Sequence, residues 1–554
     1  MLIHEDYKHF RVTPNNKLQY FPTNTIRTQN TPEKFNKYEQ GYFHYFKGIV
    51  DEFVSIFTMH GLDRIFKRNL NKYKRITWIV GFSVCLMVFI YVSSQVAYKY
   101  HTKPLVTVVS KTHWPVFQIP FPEVTICNKN RFNWQRYEQA KEMFLKPEHL
   151  KSPEYQDIFM EVVNAYDTLI FGKFYKFENL TKVPPSMLKE LNYINFSLVS
   201  EFMAWKCHEI FSDCEWIDDD YDCCEIFFSR NSQMGTCLAF NTIESPEGME
   251  KQKSDSFWPW RTKGQGDENG LILKVHLREH DHSPMRKNKK GILVMLAEPY
   301  VWFNYPIEVN THTRTSVSIT AILHNFDNYT RIFSPTVRQC LFEDELNSKY
   351  YKSLQGHRYM FENCQAECQQ EYLVKFCNCT FGLFYPEGRY RPCKLVDYPC
   401  LFYHNDKLQY FEQIGESKYV AEYFPDVMKC TCYYNCKSLT YITKVTTAYM
   451  SNMEIEFNNS YIDLSLFYQQ EFIVVFLTTV LYTWTDLMAS FGGLAGLCIG
   501  CSLISLVEFA YFFIVDIPRK SVLYYKMKKR LRLHRKSYNI KAEIVESIMR
   551  DSNN

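Results

Sequence analysis

Two apolar stretches near opposite ends of the chain constrain everything between them. The first, Ile76 to Ala97, contains no charged residue. Its 22 residues, at about 1.5 Å of rise each, reach roughly 33 Å, enough to cross a bilayer's hydrocarbon core. The second runs from about Leu487 to Val515 and carries one charge, Glu508, near its end. A mean hydropathy of −0.31 and a net charge of +4 would suit a soluble protein, but both average over 554 residues and hide the two stretches. Each stretch has a basic flank. Lys67, Arg68, Lys72, Lys74 and Arg75 precede the first; Arg519, Lys520, Lys526, Lys528, Lys529, Arg530, Arg532, Arg535 and Lys536 follow the second. The positive-inside tendency places both termini in the cytoplasm. The predicted division is a cytoplasmic region 1–75, a span 76–98, an outside domain 99–485, a span 486–516 and a basic cytoplasmic tail 517–554.

The middle of the chain fits an oxidising compartment. All but three of the 19 cysteines lie between the spans, an even number suited to a disulfide framework. The Asn-x-Ser/Thr sequons, at Asn179, Asn195, Asn328, Asn378 and Asn458, lie there too. The polar first 60 residues lack an apolar core followed by small residues, so the first span itself is expected to direct insertion. The end of that polar arm has apolar residues at helical spacing, broken by His60-Gly61, which by itself reads as a helix C-cap or turn.

Between the spans, "PLVTVVSKTHWPVFQIPFPEVTIC", "GLILKVHLREH" and "GILVMLAEPYVWF" alternate like strands, while "RFNWQRYEQAKEMFLK" and "ENCQAECQQEYLVKF" are helix-like. Residues 244–268, charged and rich in Gly and Pro, read as a loop or insertion carrying two exposed tryptophans. The expected fold class is a membrane protein with two transmembrane helices and a large disulfide-rich α+β extracellular domain. No nucleophile–base motif or phosphate loop argues for an enzyme, and nothing argues for nucleic acid.

Ten cysteines crowd the downstream half: Cys340, Cys364, Cys368, Cys377, Cys379, Cys393, Cys400, Cys430, Cys432 and Cys436. Zinc is the competing reading for close pairs, but extracellular thiols should oxidise, and C-x-C is not the spacing of a zinc knuckle. Sequence alone leaves ten cysteines with many connectivities. One physical solution is a ladder between two antiparallel helices. Cys364 and Cys368 share a helical face, and Cys430 and Cys432 on an opposing segment could each reach one of them.

Taken together, the two spans, the cysteine spacing, "FPEVTICN" after the first span, "GLAGLCIGCSLISLVEF" in the second and His60-Gly61 before the first resemble the degenerin/epithelial sodium channel family. The likeness covers nearly everything beyond the first 50 residues. It implies a plasma-membrane homotrimer or heterotrimer in lipid, permeant Na+ with no cofactor and no bound metal, and amiloride as a pore blocker. It also implies a hand-like outer domain of palm, knuckle, finger and thumb. The implied disulfides are Cys127–Cys237, Cys340–Cys436, Cys364–Cys432, Cys368–Cys430, Cys377–Cys400 and Cys379–Cys393. Cys207, Cys214, Cys223 and Cys224 would pair among themselves, with three connectivities open. His60 and Gly61 match a motif with a gating role.

The second span gains meaning from this likeness. Gly500-Cys501-Ser502 matches the family's Gly-x-Ser selectivity filter, where carbonyls freed from a helix can replace an ion's water. Glu508, with Ser505, is expected to attract cations in a water-filled path, because a lone carboxylate in lipid is costly. Ala489 falls at the family's degenerin position. With Gly492, Gly493 and Gly496 it forms a small-residue face on which three helices could meet as a gate. Ser490 stands where the family often has Asp, so the outer mouth is less acidic. The stimulus is expected to be an extracellular ligand, above all a short amidated peptide of the FMRFamide type. Trp205, Trp216, Trp258 and Trp260, near acidic residues, are the candidate contacts through stacking and cation–π attraction. A proton trigger is the alternative: Thr107 and Thr112 stand where the acid-sensing branch has His and Asp, with His101 and His113 nearby, and Asp218, Asp219, Asp220 and Asp222 could form an acidic pocket or a solvated loop. Constitutive or mechanical opening, and a receptor without a pore, are the other readings.

Overall fold

Alternation gives some of the strands between the apolar stretches one buried face, whereas Glu123–Asn128 is buried along its whole length. In Tyr461–Tyr468, Ile462, Leu464 and Leu466 are buried while Asp463, Ser465 and Phe467 are half-buried. The computed structural model describes residues 48–49, 51, 53, 60–66, 70–283, 290–302, 304–386, 388–412, 427–451 and 461–551. The chain divides into two units, Lys103–Leu481 and the two terminal regions, Met1–Thr102 with Tyr482–Asn554.

The larger unit begins with β1 (Leu105–Pro115) and β2 (Glu123–Asn128), then the hairpins β3–β4 (Phe211–Trp216, Asp219–Tyr221) and β5–β6 (Phe227–Ser232, Gly235–Phe240). Next come β7 (Leu271–His276), β8 (Ile292–Ala297), β9 (Ile307–Val309) and the long β10 (Thr313–Phe326). Four two-residue strands follow: β11 (Cys340–Leu341), β12 (Phe411–Glu412), β13 (Met428–Lys429) and β14 (Tyr434–Asn435). The last three are β15 (Lys437–Tyr449), β16 (Tyr461–Tyr468) and β17 (Phe472–Val480).

Two sheets face each other. The eight-stranded sheet runs β1-β17-β10-β16-β7-β3-β4, with β15 on β10 as well; the five-stranded sheet runs β5-β6-β2-β8-β9. β10 gives one edge to β15 along its length and shares the other between β16 (Thr313 to Ile319) and β17 (Ile322 to Phe326). Val124, Ile126, Leu238 and Val294 from one sheet and Leu273, Val317, Ile319 and Leu464 from the other close a single core. β1 and β17 pair from Leu105 opposite Val480, and the Leu481 N–H donates to the Pro104 carbonyl at 2.7 Å, so the two strands at the ends of this unit lie side by side.

A second core is helical and aromatic. Helices Pro153–Asp167, Phe196–Met203 and Phe361–Cys377 enclose Phe159, Phe174, Phe177, Phe381 and Tyr398, with Tyr166 and Tyr398 hydroxyls 2.6 Å apart. The disulfide ladder closes this region, but between a helix and an extended segment rather than two helices. Cys364 and Cys368 lie on Phe361–Cys377, and their partners lie between β13 and β14. The lengths match: four helical residues rise about 6 Å and two extended ones about 6.6 Å.

Residues 244–268 are more ordered than expected. Ser245 caps a helix, Pro246–Ser254, its Oγ accepting from the Gly248 N–H at 3.0 Å. Beyond it, Trp258 packs into the core at 3% exposure.

In the smaller unit, among the described residues, one helix is long and apolar enough to cross a membrane, Lys72–Thr102. It outruns the predicted 76–98 at both ends and stops two residues before Pro104, because the residue preceding a proline is driven out of helical geometry. The second apolar stretch is broken. Trp484–Ile499 and Leu503–Arg530 pass the same test only as a pair, bent by 76°.

Candidate functional site

The break in the second stretch is written locally. Thr483 and Asp486 cap the first helix reciprocally, the Thr483 Oγ1 accepting from the Asp486 N–H at 3.2 Å and the Asp486 carboxylate from the Thr483 N–H at 3.0 Å. The helix ends at Gly500, whose φ of +68° is the left-handed conformation glycine adopts without strain. Ser502 is extended and starts the next helix, Leu503–Tyr511. Its Oγ accepts from the Ser505 N–H at 3.3 Å, and the Ser505 Oγ accepts from the Ser502 N–H at 3.2 Å. A glycine that stops a helix, followed two residues later by a serine that starts one, leaves Gly500-Cys501-Ser502 as irregular backbone.

The consequence is a set of free acceptors. Among the described residues no backbone N–H reaches the carbonyls of Leu497, Cys498, Gly500 or Cys501. The intervening carbonyl, Ile499, accepts from the His60 N–H at 3.0 Å. His60-Gly61 forms a turn, with Gly61 at φ +86°, and the short helix Leu62–Phe66 follows it. The imidazole lies so close to Gly500 that a Cβ added there would overlap the ring. His60 thus braces the broken segment from 439 residues away in sequence, the link that no local pattern could reveal.

Other expected residues fall as follows. Ala489, Gly492, Gly493 and Gly496 are all exposed, and a Cβ at Gly492 or Gly493 would meet nothing within 4 Å. Ser490 is half-buried beside this face. Ser505 is buried and its hydroxyl is taken up by the cap, so the expected ion-attracting role does not fit its placement. Glu508 is half-buried, and its Oε2 has no hydrogen-bond partner among the described residues. Cys85, Cys498 and Cys501 are free thiols.

In the larger unit, disulfides join Cys127–Cys237, Cys340–Cys436, Cys364–Cys432, Cys368–Cys430, Cys377–Cys400 and Cys379–Cys393, the partners the resemblance implies. The open quartet pairs as Cys207–Cys224 and Cys214–Cys223, so each member of the vicinal pair takes a different partner. Asn179, Asn195, Asn328 and Asn378 are exposed; Asn458 lies outside the described residues.

The tryptophans do not form a ligand site. Trp205, Trp216 and Trp258 are buried at 7%, 4% and 3% exposure. Trp205 Nε1 donates to the Asn130 carbonyl, Trp258 Nε1 to that of Thr242, and Trp260 Nε1 to Asp255. Trp205, Trp258 and Trp260 each combine an apolar body with one satisfied donor, and Trp216 packs its ring against Phe121, Phe240 and Trp260. Asp218 tips the β3–β4 hairpin with Ile217, both at positive φ; Asp219 and Asp220 stand exposed on β4; Asp222 caps Cys223–Ile226. That run is a solvated hairpin rather than a pocket. Thr107 bonds Thr478 through their hydroxyls at 2.8 Å, and Thr112 bonds His113.

One group escaped sequence reading. Glu298, just after β8, is held up at about 7 by burial and by neighbouring Glu362, against the lowering effect of the Leu439 N–H that it accepts at 2.6 Å. Glu362 is itself raised by burial. The two lie 64 positions apart, so nothing local marks them. Among the described residues no three His, Cys, Asp or Glu side chains are grouped to hold a metal.

A family model described as Amiloride-sensitive sodium channel matches residues 53–512. Among curated relatives, Pickpocket protein 19 of Drosophila melanogaster is 26% identical over 82% of this chain and 88% of its own. Sodium channel protein Nach of the same species is 23% identical over 91% of this chain and 94% of its own. The bile acid-sensitive ion channel of Mus musculus is 22% identical over 84% and 87%.

Proposed function

The chain belongs to the amiloride-sensitive sodium channel family, and from that premise we propose that it forms a trimeric, sodium-selective, amiloride-blocked pore opened by an extracellular ligand. One observation carries the reading: the apolar helix breaks at Gly500-Cys501-Ser502 and leaves four carbonyls that no backbone N–H among the described residues reaches. Irregular backbone at membrane depth persists only where it meets protein or water, and a ring of such carbonyls can replace part of an ion's hydration. The second span is Trp484–Ile499 with the helix after the break. The exposed face of Ala489, Gly492, Gly493 and Gly496 supports close approach of three copies, and Glu508 supports a wet path on the cytoplasmic side. His60-Gly61 is the brace through which the cytoplasmic region influences the filter.

The ligand class to apply first is a short amidated peptide, with its contacts sought away from the four core tryptophans. A second reading, protons, draws support from Glu298, a carboxyl that titrates near neutrality in the extracellular domain. The solvated Asp218–Asp222 run and the Thr107–Thr478 bond lend it none. Voltage clamp of cells expressing the chain, with peptides and then acid applied outside, separates the two. For the filter, a conducting Ser502→Leu channel should reverse closer to the potassium potential than wild type; an unchanged sodium-to-potassium ratio would place selectivity elsewhere.

A further inference from the structure

Beside the Cys368–Cys430 disulfide, the extracellular domain has an open cleft of about 500 Å³. That lies within the range of small-molecule sites. Its rim carries Lys349, Lys352, Lys375 and Lys429, and its walls include Tyr350 and Tyr372. The ammonium groups are not equally engaged. Lys352 pairs with Glu371 at 2.7 Å, and Lys429 lies 3.9 Å from Glu412. Lys349 and Lys375 have no carboxylate partner among the described residues; each instead lies over a ring, 4.9 Å from the centroid of Tyr350 and 5.3 Å from that of Tyr372. Both rings are fixed. Tyr350 packs edge-on against Tyr433 with centroids 5.0 Å apart, and the Tyr372 hydroxyl accepts from the Lys429 N–H at 3.0 Å.

Lysines on a flat surface are ordinarily just solvated. Here they surround a concavity that Glu371 also lines, so that Lys349 and Lys375 supply the positive field focused there, and aromatic walls supply a surface that free phosphate or chloride cannot use. We propose that this cleft binds a small organic anion: a sulfonate, sulfate or phosphate group carried on a flat ring. Lys349 and Lys375 take the anionic group, and Tyr350 and Tyr372 take the ring. The site needs no pore, so it stands or falls separately from the reading of residues 500–502.

The test uses the full-length protein in nanodiscs and a fluorescent aryl sulfonate, 5-dimethylaminonaphthalene-1-sulfonate, followed by anisotropy with empty nanodiscs subtracted. Saturable binding that weakens with added salt is expected. The Lys349→Ala/Lys375→Ala protein should bind roughly tenfold or more weakly, since two charge-assisted contacts are lost. The Lys349→Arg/Lys375→Arg protein, which keeps both charges, should stay within about threefold of wild type. The neutral sulfonamide of the same dye should bind roughly tenfold more weakly than the sulfonate. Single Lys349→Gln and Lys375→Gln proteins, each leaving three lysines, guard against misfolding and should each fall between wild type and the double variant. The proposal is overturned if the alanine pair binds as wild type does, or if the neutral dye binds as tightly as the anion.

Discussion

The contact between His60 and Gly500 makes a quantitative prediction about Gly500→Ala. Two costs combine. An alanine at φ +68° pays about 1–2 kcal/mol for the left-handed conformation. Its Cβ would overlap the His60 ring, so the turn must retreat and give up the His60 N–H to Ile499 bond, worth about 0.5–1.5 kcal/mol net. The braced state therefore loses about 1.5–3.5 kcal/mol, a factor of roughly 10–300 in its population. His60→Ala keeps the backbone donor and removes the ring. Added to Gly500→Ala, it should recover the overlap and leave the conformational cost, a coupling of about 1 kcal/mol. Single-channel recording of all four proteins, normalised to surface expression, measures the ratio of open to closed time and hence the coupling. Additivity within about 0.3–0.5 kcal/mol, the error expected for independent sites, would refute the brace.

Cys368→Ser and Cys430→Ser should each lower surface expression, each removing a bond that contributes about 2–4 kcal/mol, and the double variant should be no worse than either single one. Glu298 binds its proton more tightly in the folded state than in the unfolded chain. Stability should therefore fall as pH rises from about 4.5 to about 7, by at most about 3 kcal/mol, and Glu298→Gln, which keeps an acceptor for the Leu439 N–H, should flatten that slope in thermal unfolding followed by tryptophan fluorescence. Ala489→Phe should leave standing amiloride-blockable current without ligand, because overpacking costs the closed state about 1–3 kcal/mol; normal closure would remove Ala489 from the gate.

Much was legible in the sequence because its cause is local. Membrane-length apolarity, the basic flanks and the period-2 strands all depend on residues within a turn or two of one another, whereas the break at Gly500-Cys501-Ser502 was expected only from the family resemblance and its caps became visible in the structure. The i, i+4 spacing of Cys364 and Cys368 likewise fixed their common face, though the partner segment proved extended. Tertiary structure alone decided which distant groups meet. It paired Cys207 with Cys224 and Cys214 with Cys223, drew Trp216, Trp258 and Trp260 into the gap between two sheets, brought Glu362 to Glu298 and set His60 against Ile499. Composition cannot tell a ligand-binding tryptophan from a core one, since the same apolar ring and single donor serve both. The difference is what packs against it, and that is settled only when strands far apart in sequence close on one core.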